Sequence, residues 1–165
     1  MIERKTRKHM EAAFLEVSRA AARKKLYALR AEYDGYKQLA KLFRAMAISE
    51  DATQALRLLI QLRGQIGKNE QNCQAAFEEE IPHLITQYEQ AVETAVKAGE
   101  RTMQSVFLQS TKVERIHPGL KKKLEHNQGK ENSYHVCTFC GFIKEEKAPE
   151  KCPICTAPAR RFQKV

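Results

Sequence analysis

Residues 134–162 read YHVCTFCGFIKEEKAPEKCPICTAPARRF, and the two Cys-x-x-Cys pairs in that stretch decide how the end of the chain folds. The 11 residues between Cys140 and Cys152 allow two tight turns to face each other and bring four sulfurs round one point. Tetrahedral S4 coordination selects zinc or iron, and the spacing alone leaves that choice open. Gly141, directly after Cys140, stands where a turn of this kind requires positive φ. Backbone N–H groups in such turns point at the sulfurs and stabilise the thiolates. A unit running only from residue 134 to residue 165 is too short to bury a core of its own, so the metal nucleates it.

Upstream of this module the composition changes. Residues 126–133, HNQGKENS, are polar, contain glycine and lack periodicity. They mark a linker at 128–133 between a region spanning 1–127 and the module at 134–165. From about residue 3 to residue 126 the chain is rich in Ala, Leu, Lys, Glu, Gln and Arg, which is helix composition. Apolar residues recur at spacings of three and four, the mark of a bundle helix with one buried stripe. Four helices are expected. The first runs from about Glu3 to Glu32 with stripe Met10, Phe14, Val17 and Ala21, and the second from about Tyr36 to Leu62 with stripe Leu39, Phe43 and Met46. The third runs from about Glu70 to Ala98 with stripe Cys73, Phe77, Leu84 and Ala91, and the fourth from about Glu100 to His117. Asp34-Gly35, Gly64 with Gly67, and Gly99 punctuate them. Pro118-Gly119 is expected to stop or bend the fourth, with a short helix through Lys121–His126 after it.

The totals fit one domain plus a small appendage: 165 residues, 42% of them hydrophobic. No apolar run is long enough to span a bilayer, and the charged N-terminus MIERKTRKHM has no apolar stretch behind it. A soluble cytoplasmic protein is expected. Paired CxxC spacing with Cys73 left over reads as metal ligation in a reducing compartment, not as a disulfide framework. The net charge of +9 invites a nucleic-acid interpretation. The basic residues at 4–25 and Lys121, Lys122 and Lys123 are not interleaved with stacking aromatics, however, which favours solvated helix faces or docking to an acidic electron-transfer partner.

Polar residues on the buried stripes point to a second site. Continuing the helix-two stripe by the same spacing lands on Glu50 and Thr53. On helix three it reaches Glu80 with His83 beside it, and on helix four Met103, Phe107 and Ser110 lead to Glu114 and His117. Three carboxylates and two histidines directed to one interior imply a cation, because a buried carboxylate without a partner is very costly.

Tyr134 before the first pair, Gly141-Phe142 after it, Ala148-Pro149 before CPIC, then Ala157-Pro158 and Phe162 together resemble the rubredoxin-type tail of rubrerythrins. Ala13-Phe14, Tyr36 with Phe43, Tyr88, and Lys112-Val113-Glu114 with His117 extend the resemblance over nearly the whole chain. It implies a ferritin-like four-helix bundle followed by a rubredoxin-like module. It also implies iron in the Cys137, Cys140, Cys152, Cys155 site, zinc being the alternative, and one or two non-haem irons in the bundle. The implied function is a peroxidase-type oxidoreductase that reduces hydrogen peroxide in oxidative-stress defence. Implied partners are a second copy in a homodimer and a small redox donor protein, with neither membrane nor nucleic acid. On the family pattern Glu50, Glu80, Glu114 and His117 fall at ligand positions, and Tyr88 hydrogen-bonds near the metal.

Three positions depart from that pattern. Val17 stands where helix one should offer Glu, and Glu16 points about 100° away. Thr53 stands where helix two should offer His, and His83 where helix three should offer a second Glu. His83 is therefore expected to supply the imidazole that Thr53 lacks. Thr156 follows the last cysteine where the family has glycine. Pro82 is expected to kink helix three, and Pro118 to redirect His117. A different class of function is a metal-depleted helical scaffold or partner-binding protein, its tail a structural zinc site or simple electron carrier.

Overall fold

Glu3 starts the first helix by accepting hydrogen bonds from the backbone N–H groups of Lys5 and Thr6. The helix, α1, runs Arg4–Tyr33. This computed structural model describes residues 3–63, 67–126 and 131–165. Gly35, at φ +86°, reverses the chain after α1. The return is almost continuously helical: α2 (Lys37–Ile48), a π-helical turn (Ser49–Ala55) and α3 (Leu56–Arg63). It is antiparallel to α1, since the guanidinium of Arg7 donates to the carbonyl of Leu62.

The first compact unit, residues 1–67, is this hairpin. Its described buried residues are Ala21, Ala28, Ala31, Ala40, Ala47 and Ala55, and no larger side chain joins them. Alanine on both sides of a seam lets two helices approach closely, and ordinary helix contacts take their spacing from the side chains between them. Tyr27 and Phe43 meet edge-on at 5.7 Å beside the seam. Leu26, Leu29, Tyr33, Leu42 and Ile48 remain exposed.

The second unit, residues 68–165, contains a second hairpin and the cysteine module together. Here α4 (Asn69–Gln74), a π-helical turn (Ala75–Glu80) and α5 (Ile81–Lys97) form one arm, and α6 (Arg101–Glu114) the other. Gly99, at φ +72°, makes the turn between them. A further helix, α7, covers His117–His126.

The helical segments lie close to where composition and periodicity put them, with differences that have local causes. Pro118 does not stop the chain: it sits second in α7, where the missing N–H would have had no helical acceptor. The expected short helix thus begins four residues early, at His117. Pro82 likewise stands second in α5, just past the π turn. Gly64 and the first half of the linker lie outside the described residues. The two compact units divide between the hairpins, and within the second the module shares a core with α6.

The module is a three-stranded antiparallel sheet of order β2-β1-β3, with β1 at Tyr134–Cys137, β2 at Ile143–Glu145 and β3 at Phe162–Lys164. Tyr134 pairs with Glu145 and Cys137 with Phe162. Val113 of α6, Cys137, Phe142 and Cys152 form its buried core, with Ile116, Ile154 and Phe162 packed against them. Lys123 Nζ donates to Glu145 Oε2 at 2.8 Å, tying α7 to β2.

Candidate metal centres

The two cysteine turns are built alike. In the first, the Gly141 N–H donates to the Cys137 carbonyl at 2.9 Å and the Cys137 N–H to Phe142 at 2.8 Å. In the second, Thr156 donates to Cys152 at 2.9 Å and Cys152 to Ala157 at 2.8 Å. Gly141 is at φ +84° and Thr156 at φ +62°, so the residue after each pair takes the left-handed conformation. The turns face each other with Sγ separations of 3.7 Å for Cys137–Cys155 and 3.5 Å for Cys140–Cys152. All four ligand atoms lie within 4.8 Å of one another. Metal–sulfur bonds of about 2.3 Å in a tetrahedron put the sulfurs about 3.8 Å apart, so the set fits one four-coordinate ion.

The thiols differ. Burial pushes Cys137 up, but the N–H groups of Cys140 and Phe139 and the neighbouring thiols of Cys155 and Cys140 outweigh it, and its net shift is downward. Burial raises Cys140, and the sulfurs of Cys155, Cys152 and Cys137 raise it further against the N–H of Phe142. Burial also leads the upward shift of Cys155. One thiolate forms readily in this cage. Four require a cation among them.

Residues 135–163 match the family model described as rubrerythrin, rubredoxin-like domain. Over 179 residues the chain is 30% identical to rubrerythrin of Porphyromonas gingivalis, an alignment covering 96% of this chain and 89% of that one. The chain belongs to the rubrerythrin family. It is also 25% identical to nigerythrin of Nitratidesulfovibrio vulgaris over 95% of this chain and 85% of the other. A solved structure of partially reduced nigerythrin superposes at a TM-score of 0.55, with 23% identity and 97% of this chain covered against 86% of that one. The fold class is a ferritin-like helical bundle followed by a rubredoxin-like module, and this rubrerythrin-family protein binds iron.

The helical candidates are placed unevenly. Glu114 and His117 are half-buried and adjacent, His117 Nδ1 lying 3.1 Å from Glu114 Oε2. A carboxylate can only accept, so Nδ1–H donates, and in the neutral ring Nε2 keeps its lone pair. That Nε2 is buried and has no hydrogen-bond partner among the described residues. Both residues line an open, mostly apolar cavity of about 600 Å³, with Glu80, Phe77, Leu84 and Tyr134 among its other walls. An orphaned imidazole nitrogen oriented by a carboxylate suits a metal, and Glu80 lies on the same wall. Glu114 and His117 thus offer two ligand atoms side by side.

Glu80 and His83 are exposed, and Ile81 and Leu84 occupy the seam instead. The π turn at 75–80 carries an extra residue, so the seam runs Phe77, Ile81, Leu84 and not Phe77, Glu80, Leu84. His83 Nε2 is 2.9 Å from Gln87 Nε2 on its own helix. Thr53 is exposed for the same reason: past the π turn at 49–55 the seam resumes at Ala55. Tyr88 is half-buried with its ring 6.4 Å from that of Phe107.

The first hairpin holds one half-buried carboxylate, and a lysine claims it. Lys24 Nζ lies 2.6 Å from Glu50 Oε1 and 2.8 Å from Oε2. The cation beside Glu50 in this structure is an ammonium. Lys24 was legible, since the α1 stripe Met10, Phe14, Val17, Ala21 continues by three to reach it. Among the other basic residues, Lys25 pairs with Asp51, Arg19 with Glu16 and Arg30 with Asp34. Among the described residues no helix is long and apolar enough to cross a membrane.

Proposed function

We propose that this protein reduces hydrogen peroxide to water, each molecule taking two electrons and two protons. What supports this reading is that neighbouring residues of α6 belong to both candidate centres. Val113 lies in the core of the four-cysteine cage, and the next residue, Glu114, orients His117. Iron held by the cysteines would supply one-electron carrier chemistry. Glu114, His117 and Glu80 are the residues proposed to hold the second iron. The adjoining cavity would admit a small substrate beside His117.

A homodimer and a small redox protein as electron donor complete the proposal. The exposed Leu26, Leu29, Leu42 and Ile48 of the first hairpin supply apolar surface for a second copy. Light scattering in solution would then give twice the mass of the chain.

The activity is tested by mixing anaerobically reduced protein with peroxide and following both peroxide and the visible spectrum. One peroxide should disappear per two electrons, and His117→Ala should slow the reaction about 10–100-fold. Equal rates in wild type and His117→Ala, or unreacted peroxide, would overturn the assignment.

A further inference from the structure

We propose that the Lys24 ammonium is a built-in counter-cation standing in for a metal ion at Glu50, so that Glu50 is a structural carboxylate and not a ligand. The ammonium contacts both carboxylate oxygens, at 2.6 and 2.8 Å, and each side chain is 17% exposed. Lys24 occupies a seam position between the buried Ala21 and Ala28, so its aliphatic stem is packed while its charged end reaches the carboxylate. The neighbouring residues repeat the contact on the outside: Lys25 Nζ lies 2.7 Å from Asp51 Oδ2. Two consecutive lysines of α1 thus hold two consecutive acids of the π turn, one pair sheltered and one in water.

A metal at Glu50 would have to displace an ammonium from both oxygens and then sit beside its charge. It would also lack companions in this hairpin, because position 17 is valine and Thr53 is exposed. Among the described residues the four cysteines are the one group of three or more metal-ligating side chains drawn together. This inference stands apart from peroxide reduction, since it is read in metal content and folding.

The experiment uses the full-length, iron-loaded protein and compares Lys24→Met, Glu50→Gln and the double variant by iron per chain and thermal midpoint. Each single change leaves a sheltered charge uncompensated and should lower the midpoint by on the order of 5 °C, whereas the double change should recover most of that loss. Iron per chain should equal the wild-type value in every variant that folds. If the single variants do not fold, the charge swap Lys24→Glu with Glu50→Lys takes their place and should fold with wild-type iron content. Loss of iron in Glu50→Gln or in the swap would overturn the proposal. So would additive losses of stability in the double variant, which would show that the two groups are uncoupled.

Discussion

Thr156 carries a conformational cost that its counterpart Gly141 does not. Both residues close a cysteine turn at positive φ, yet Thr156 is β-branched, and its hydroxyl donates to the Cys155 carbonyl at 2.6 Å. Thr156→Gly should therefore stabilise the module by about 1 kcal/mol, less what that hydrogen bond contributes. Calorimetry of the iron-loaded protein would show it as a rise in the midpoint, and a fall would mean that the hydroxyl contact outweighs the backbone strain. At this scale the sequence was a good guide to the module. Cysteine spacing and the glycine after the first pair are local signals, and the geometry they specify is local too.

Helical elements were harder, and the π turns explain why. Periodic extrapolation assumes a constant 3.6 residues per turn, and each π turn adds a residue that displaces everything after it. Glu50 precedes most of its π turn and stays on the seam, whereas Thr53 and Glu80 are carried off it. Helix existence and rough limits survived this error because they depend on composition. Seam membership did not, because it depends on phase. The first hairpin makes a further prediction. Ala28 is fully buried in its seam, so Ala28→Leu should cost roughly 1–3 kcal/mol by forcing α1 from α2. Denaturant unfolding followed by circular dichroism would measure the loss, and an unchanged midpoint would show the seam to be looser than drawn.

Across the whole molecule, the two units differ in what stabilises them. The first has helices, an alanine seam and ion pairs, whereas the second adds four cysteines, of which burial opposes ionisation of Cys140 and Cys155. Stripping the cysteine-bound metal with a strong chelator should unfold the sheet and expose Val113 and Ile116, leaving α1 and its return arm folded. Hydrogen exchange by residue would resolve this: protection should vanish at Val136 and Cys137 and persist at Ala21 and Ala28. Simultaneous loss in both would mean that the units unfold as one.

Composition suggested an appendage on a tether, but Val113 and Ile116 give the module a seat in the helical hairpin. The tail is therefore not a portable cassette. A chain ended after His126 would uncover an oily spot on α6, and the tail grafted onto an unrelated helix would lack the valine against which its first cysteine turn closes. Insertions and deletions between positions 113 and 117 would be felt by the cage and the Glu114–His117 pair together, so descendants of this chain are expected to vary in the length of their loops before they vary there.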